Sequence, residues 1–432
     1  MKLTISGKLN IQKRPLPECL TLFVFFMPFF LSFLQDFLNL PGLVKYTIDI
    51  AWVMATAILF LRQKIEIDKR LIPFLIYIGI FFLYTLLFYV INFQSPFYFL
   101  WGLRNNFRFY FAFILFCIFL YKDDIKMCFR FIDIVFYIDV AVALFQFFVL
   151  GYKWDFLGGI FGVETGCNAY SMVFFTIVIA KSILQYMNKE EKLWLCGIKC
   201  FLALVVAAMS ELKFFFIVFM VVLIMATLLT SFSWRKILII AVAAMGVMFA
   251  GSILTVIFGE NSTLSWDRII QLVTAESYSS AEDLGRFTAI PTLANSIVVN
   301  PFEQLFGLGL GNCDTSSFAI CNTPFYQTYS HLNYNWFSSA FLFLEVGYVG
   351  LFIYLFFFVM CFVFSWNQLR KDYDNKLYYQ LAMIISVVCV LLTFYNSSLR
   401  FEVAYMMYFV LALPIVCSKS ELRYQRRLDI HK

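Results

Sequence analysis

Twelve apolar stretches, each long enough to cross the hydrocarbon core of a bilayer, follow one another along this chain of 432 residues. Because lipid offers no hydrogen-bond partner to a backbone amide, each stretch is expected to be an α-helix. Hydrophobic residues make up 62% of the chain and charged residues only 14%, which leaves too little polar surface for a soluble domain. The predicted fold is therefore all-α, a polytopic membrane protein of about twelve transmembrane helices: 19–35, 43–61, 71–91, 107–121, 131–150, 168–187, 193–209, 214–231, 237–257, 338–360, 378–395 and 402–417.

The distribution of lysine and arginine predicts how these helices are oriented. With the N-terminus placed in the cytoplasm, the cytoplasmic segments hold 23 of the 33 lysines and arginines, and the opposite side holds eight. Positively charged residues accumulate in cytoplasmic loops, so both termini are expected in the cytoplasm. The net charge of +6 then reflects topology and gives no reason to expect nucleic acid as a partner.

A single long hydrophilic stretch interrupts the series of helices. The expected divisions are 1–257 with helices one to nine, 258–337 as one large extracytoplasmic loop, 338–417 with helices ten to twelve, and 418–432 as a basic cytoplasmic tail. Apolar residues at helical spacing predict amphipathic helices at 262–277 and 286–300, with Pro291 kinking or opening the second. These helices either roof a cavity at the membrane surface or pack on the bundle, and the two arrangements are compatible.

Most of the eleven cysteines lie in the apolar stretches, where they are expected to act as small apolar residues. Cys313 and Cys321 lie instead in the long loop, which is an oxidising location if it faces the cell exterior. The sequence there allows either a disulfide or two free thiols. The basic start of the chain also resembles a signal peptide, but no A-x-A-like cleavage site follows it, so we interpret it as leading into a retained first helix.

Cations on the outer side are the first candidates for binding a substrate. Arginine presents a planar fork of donors that suits phosphate oxygens. Arg104 and Arg108 stand four residues apart at the expected start of the fourth span, on one helical face. The other candidate binding cations are Lys213, in the SELK turn, and Arg268 and Arg286, in the long loop. Each is alternatively an interfacial residue that extends its charge to water.

His331 is the one histidine on the outer side, since His431 lies in the basic tail. An imidazole titrates close to neutral pH, so His331 can act as a general base; the alternative is a hydrogen-bonded structural histidine. The sequence contains no HExxH motif and no outer Cys/His cluster, so no metal is expected. The glycines of FGLGLGNC (306–313) follow no βαβ pattern and precede no Gly-Lys-Ser/Thr, so no nucleotide cofactor is expected either.

Charged residues within the apolar stretches are costly and often functional. Asp49, Asp139 and Glu345 are of this kind. A transporter would use such groups to carry protons or ions. Alternatively, they pair with Lys199 or form a hydrogen bond with a tyrosine.

Three segments carry a resemblance to a known family. They are FLGGIFGVETGCNAYSMVFF (156–175), LGRFTAIPTLANSIVVNPFEQLFGLGLGN (284–312) and SHLNYNWFSSAFLFLEVGYVGLF (330–352), with a weaker match at SELK (210–213). In this order they are similar to the glycine-rich turn, the arginine-headed loop helix and the His-x-x-Asn, Glu-x-Gly-x-x-Gly pattern of the bacterial O-antigen polymerase and O-antigen ligase superfamily.

The resemblance implies a GT-C-like glycosyltransferase of the bacterial inner membrane. Donor and acceptor would be glycans linked to undecaprenyl pyrophosphate, handled within membrane lipid at the outer face, with a chain-length regulator as a further partner. Arg286 and His331 fall on the family's functional arginine and histidine; Asn335 or Asn333 takes the place of its asparagine, and Glu345 that of its glutamate. We favour a polysaccharide polymerase, with a ligase that transfers glycan to lipid A core as the nearest alternative and a flippase or other transporter as the alternative from another class.

Overall fold

The computed structural model describes residues 14–61, 67–231, 233–259, 274–275, 283–316 and 318–419. These residues form helices and connecting turns, with no strand among them. The α-helices are α1 (Leu16–Phe26), α2 (Tyr46–Leu61), α3 (Ile72–Ile91), α4 (Pro96–Phe119), α5 (Lys122–Phe148), α6 (Asn168–Met187), α7 (Leu193–Met209), α8 (Lys213–Leu229), α9 (Trp234–Phe258), α10 (Ala289–Ser296), α11 (Pro301–Phe306), α12 (Pro324–Tyr329), α13 (Ser338–Leu369), α14 (Lys376–Tyr395) and α15 (Ala404–Cys417).

Helices occupy each of the apolar stretches, in an architecture typical of a polytopic membrane protein. Within the described ranges, seven helices are long and apolar enough to cross a membrane, namely α2, α3, α5, α6, α9, α13 and α14. Four shorter apolar helices accompany them: α1, α7, α8 and α15. Arg268, nearly all of the expected helix at 262–277, and residues 420–432 of the basic tail lie outside the described residues.

Helix α4 begins well before the expected span at 107–121. It starts at Pro96, a residue suited to the first turn because it has no N–H to leave unsatisfied. Arg104 and Arg108 therefore lie inside the helix, whereas the sequence predicts them at its start. The helix tolerates them because carboxylates from other parts of the chain lie against both, so neither charge marks the end of the helix.

Helix α10 is shorter than the amphipathic helix expected at 286–300. It spans Ala289–Ser296, with Leu293 fully buried. Pro291 is the third residue of this helix, where its missing N–H would in any case have no partner within the helix. The expected kink is therefore not needed, and α10 packs on α13.

The centre of the bundle is built from helices that are apolar on every side. Of the residues in the most apolar 18-residue stretch of α6, 89% are buried inside the protein, whereas the same fraction for α2 is 17%. A helix that is hydrophobic all round belongs in a core or a membrane. Helices α14 and α15 pack on each other and on α6, so α6, α14 and α15 form the interior, and α2 lies at the periphery.

The glycine-rich turn after α11 is wedged between two helices. A Cβ on Gly307 would lie 2.4 Å from the carbonyl oxygen of Glu345 in α13, and one on Gly311 would lie 1.9 Å from the carbonyl oxygen of Tyr98 in α4. The helical backbone of α13 is interrupted at Gly347, where φ is 66°, and the end of α11 packs closely against this position. These glycines allow close backbone contact between the turn and both helices.

We expect Gly311→Ala to destabilise the protein far more than Gly166→Ala. Both glycines have φ of +86°, but no atom lies within 4 Å of a Cβ on Gly166. The shared backbone strain costs about 1 kcal/mol at either position. The clash at Gly311 should add about 1–3 kcal/mol. Thermal unfolding of detergent-purified variants measures the difference, and equal melting temperatures would contradict the wedged geometry.

Candidate functional site

The short connection between α14 and α15, residues 396–403, is a meeting point for the rest of the chain. The carbonyl of Tyr395 accepts a hydrogen bond from Nη1 of Arg286 at 3.0 Å. Ser338 donates both its backbone N–H and its hydroxyl to the carbonyl of Asn396. Arg108 donates to the carbonyl of Arg400 at 2.6 Å. The long loop, the start of α13 and the middle of α4 therefore converge on this connection.

Charged side chains link α2, α4 and the turn after the glycines. Arg104 donates through Nε (3.0 Å) and Nη2 to the same oxygen of Asp49. Its guanidinium lies 4.9 Å from the ring centroid of Tyr46, which covers the pair. Asn105 donates its side-chain amide to Asp314, which continues the linkage towards α13 and the 396–403 connection.

The linkage continues through Arg400 and Arg108. Arg400 approaches Asp314 at 3.5 Å, and Arg108 pairs with Glu402 at 2.9 Å. Tyr170 of α6 donates its hydroxyl to the second oxygen of Glu402 at 3.3 Å. We refer to Asp49, Arg104, Asn105, Arg108, Asp314, Arg400 and Glu402 together as the arginine network.

An aromatic stack joins Arg286 to Phe214, the residue that follows Lys213. Tyr395 stacks on Phe214 with centroids 3.7 Å apart and planes 6° apart. Arg286 lies 4.0 Å from the centroid of the same tyrosine ring. Phe214 directly follows Lys213, whose ammonium pairs with Glu211 at 3.1 Å. The start of α8 and the head of the loop helix thus meet at Tyr395.

His331 is exposed and lies on a single 3₁₀ turn, Ser330–Leu332. The N–H of Leu284 donates to the carbonyl of Leu332 at 3.1 Å, so the segment that leads into Arg286 runs beside this turn. The next residue, Asn333, has φ of 52° in the left-handed region, which asparagine tolerates better than most residues. The carbonyl of Asn335 accepts a hydrogen bond from Arg400 at 3.4 Å. The segment around His331 is therefore hydrogen-bonded to Leu284, two residues before Arg286, and through Asn335 to Arg400.

Glu345 is fully buried in α13, at the glycine-rich turn. Its carbonyl accepts the N–H of Gly309 at 2.9 Å, and its carboxylate lies near Asp314 and Arg400. It sits beneath the arginine network and away from the surface. A direct role in binding a bulky substrate would therefore require the turn above it to open.

Cys313 and Cys321 are both free thiols and both buried. Hydrogen bonds close the intervening turn instead, including one from the hydroxyl of Thr323 to the carbonyl of Asp314 at 3.0 Å. Burial raises the pKa of the Cys313 thiol well above its usual value, with Glu345 and Asp314 adding to the effect. The thiol alternative is the one that the structure shows.

A second set of buried charges lies away from the arginine network. Lys181 of α6 pairs with Asp133 of α5, and Lys199 of α7 pairs with Asp133 at 3.3 Å and with Glu191 at 2.7 Å. We refer to these four residues as the lysine cluster. Lys181 follows Tyr170 by eleven residues of α6, which is about 16 Å along a helix. The two sets of charges thus occupy different halves of the bundle.

The lysine cluster corrects one expectation from the sequence. The sequence offers Lys199 as a partner for Asp49, Asp139 or Glu345, but Lys199 pairs instead with Asp133 of α5 and with Glu191, eight residues before it. Asp49 pairs with Arg104. Asp139 accepts the N–H of Ile160 at 2.8 Å and so holds the glycine-rich turn before α6 against α5.

Four members of the arginine network were missed as site residues from the sequence: Asn105, Asp314, Arg400 and Glu402. Arg400 is one of the eight lysines and arginines expected on the outer side, but nothing near it in sequence indicates a site. Asp314 and Glu402 are acidic, and a search for phosphate-binding cations passes over them. They can be recognised as site residues only from the folded structure, which brings into contact residues such as Arg108 and Glu402, 294 positions apart.

No group of three His, Cys, Asp or Glu side chains within the described ranges is arranged to hold a metal ion. A comparison with models of protein families finds none that matches the chain. A comparison with curated protein sequences gives no significant match. What bears on the function is therefore the motifs and the geometry of the arginines and the histidine turn.

Proposed function

We propose that the protein is a membrane glycosyltransferase that polymerises oligosaccharide repeat units carried on undecaprenyl pyrophosphate, at the outer face of a bacterial inner membrane. The observation that supports the proposal is that Arg286 and Arg400 both lie at or beside the 396–403 connection, and that Arg400 is hydrogen-bonded to Asn335, four residues after the exposed His331. Guanidinium groups and an imidazole at one site supply what such a transfer needs.

The proposed reaction breaks the bond between the anomeric carbon of the donor glycan and the pyrophosphate. His331 accepts the proton of an acceptor hydroxyl as that oxygen forms the new glycosidic bond. The lipid pyrophosphate leaves with the electron pair of the broken bond, and arginine donors stabilise its developing charge. The bond energy comes from the donor itself, so no nucleotide sugar enters. Since guanidinium groups supply the positive charge, the scheme needs no metal.

Purified protein in nanodiscs, supplied with lipid-pyrophosphate-linked repeat units, should produce a ladder of glycan lengths on a gel. The ladder should persist in the presence of a metal chelator. A ladder that requires added divalent metal would count against the metal-free scheme. Transfer of one finished glycan to a lipid A core acceptor, without any ladder, would identify the ligase alternative.

A transporter is the second candidate, and the lysine cluster is the observation that favours it. Buried charges then lie in both halves of the bundle, as an ion-coupled carrier requires. Proteoliposomes containing a fluorescent lipid-linked oligosaccharide distinguish the two. Movement of the label across the bilayer without any glycan ladder would favour the transporter and overturn the polymerase.

The proposed topology has twelve spans, both termini in the cytoplasm and the long loop outside. It can be tested in a Cys19→Ser background, which removes the exposed native thiol. We expect an impermeant maleimide added to intact spheroplasts to label Asn300→Cys and not Lys371→Cys, both of which are exposed positions. Labelling of Lys371→Cys alone would overturn the orientation.

A further inference from the structure

Arg400 holds its partners more loosely than the other two arginines of the network. Its contacts with the Asn335 carbonyl and with Asp314 measure 3.4 and 3.5 Å. Arg108 makes contacts of 2.9 and 2.6 Å, and Arg104 chelates one oxygen of Asp49 through two nitrogens. Charge-assisted hydrogen bonds are ordinarily about 2.7–2.9 Å long. The donors of Arg400 are thus the least engaged of the three.

The surroundings of Arg400 fix its orientation without using its donors. Its guanidinium lies 3.1 Å from the ring centroid of Phe341, so the aromatic face covers one side of the cation. Its Nε is buried and has no hydrogen-bond acceptor among the described residues. The side chain is 13% exposed. A guanidinium held flat on a ring, with its edge incompletely satisfied, is prepared to receive an oxyanion.

Asp314 can release Arg400 because it has other partners. One of its oxygens accepts the side-chain amide of Asn105, and the other accepts the N–H of Thr315 at 2.8 Å. The carboxylate would keep both bonds if Arg400 turned to another anion. Arg108 and Glu402 differ, because both are deeply buried and neither forms a second ion pair among the described residues.

We propose that Arg400 binds a phosphate oxygen of the diphosphate, and that Asp314 occupies its guanidinium in the absence of substrate. This inference rests on the proposed function and adds a binding residue to that site. The bond from Arg400 to Asn335 places the bound phosphate beside the His331 turn, where the reacting sugar must lie. Asp314 therefore competes with the diphosphate and weakens its binding.

The test is a binding measurement on purified protein in nanodiscs, with farnesyl diphosphate as probe and farnesol as the control lacking phosphate. Arg400→Gln should weaken binding of the diphosphate about tenfold, since a charge-assisted hydrogen bond contributes roughly that factor. Asp314→Asn should strengthen it about threefold, because the change neutralises the carboxylate that competes with the diphosphate for Arg400. Lys153→Gln removes another outer cation and should leave binding unchanged.

A purely structural ion pair predicts a different pattern, in which both variants lower the melting temperature and neither strengthens binding. Wild-type affinity in Arg400→Gln, or weaker binding in Asp314→Asn, would overturn the inference. If Arg286→Lys loses affinity while Arg400→Gln does not, the role of Arg400 is wrong and the proposed function stands. If the wild-type protein binds farnesyl diphosphate no better than farnesol, both fail. Should Arg400→Gln not fold, the direction of the Asp314→Asn effect decides alone.

Discussion

Replacing His331 by alanine is expected to abolish the glycan ladder while leaving the protein folded and inserted. The side chain is exposed on a single 3₁₀ turn, so its loss removes little packing. Loss of a general base slows a reaction by about 10²–10⁴-fold, which is enough to remove visible product. The measurement is the rate of ladder formation by purified protein from lipid-linked repeat units.

Thr328→Ala is the matched control for this histidine. Thr328 is exposed on the preceding helix α12 and donates its hydroxyl only to the carbonyl of Pro324 among the described residues. It should retain a normal ladder and the same melting temperature as His331→Ala. A near wild-type ladder from His331→Ala would show that the histidine is structural.

The second large effect is expected when the buried pair of Arg108 and Glu402 is broken. Their side chains are 3% and 9% exposed, so either one left alone is a buried charge that has lost its ion-pair partner. We expect Glu402→Gln to lose about 3–5 kcal/mol of stability. The double variant Arg108→Met/Glu402→Gln should recover most of this loss, because no unpaired charge remains. Thermal unfolding of the single and double variants forms a double-mutant cycle.

Tyr170→Phe provides the comparison for a neutral contact at the same carboxylate. It removes only the hydroxyl that donates to Glu402 at 3.3 Å and should cost about 1 kcal/mol. If Glu402→Gln is no less stable than Tyr170→Phe, a group other than Glu402 also compensates the charge of Arg108. If the double variant is as unstable as Glu402→Gln, the loss does not arise from an unpaired charge.

Much of the helical framework could be predicted from the sequence, because a long apolar stretch in lipid has few alternatives to a helix. The error in α4 shows the limit of that argument. In the sequence, Arg104 and Arg108 mark the edge of an apolar stretch, but the helix begins at Pro96, eight residues before Arg104. The partners that allow this, Asp49 and Glu402, are distant in sequence. No local sequence pattern predicts that these two carboxylates pair with the arginines.

The candidate site was predictable as a set of residue types but not as an arrangement. Outer cations and one histidine could be picked out because the positive-inside rule makes such residues uncommon there. That Arg286 lies over Tyr395, or that Arg400 reaches the His331 segment, depends on how the 396–403 connection is placed in three dimensions. Nothing in the sequence indicated Asp314 as a site residue, because a carboxylate repels phosphate and is not expected at a phosphate site.

The lysine cluster has a consequence for how the chain enters the bilayer. A lysine near the middle of a helix costs roughly 2.5–3.5 kcal/mol on insertion. Helix α6 inserted alone would expose Lys181 to lipid at that cost. The carboxylate that pairs with Lys181 is Asp133 of α5. The four charges of the cluster balance only when Glu191 and, from α7, Lys199 are also in place. Helices α5, α6 and α7 therefore leave the translocon most favourably as one unit, with their charges matched before any of them meets lipid.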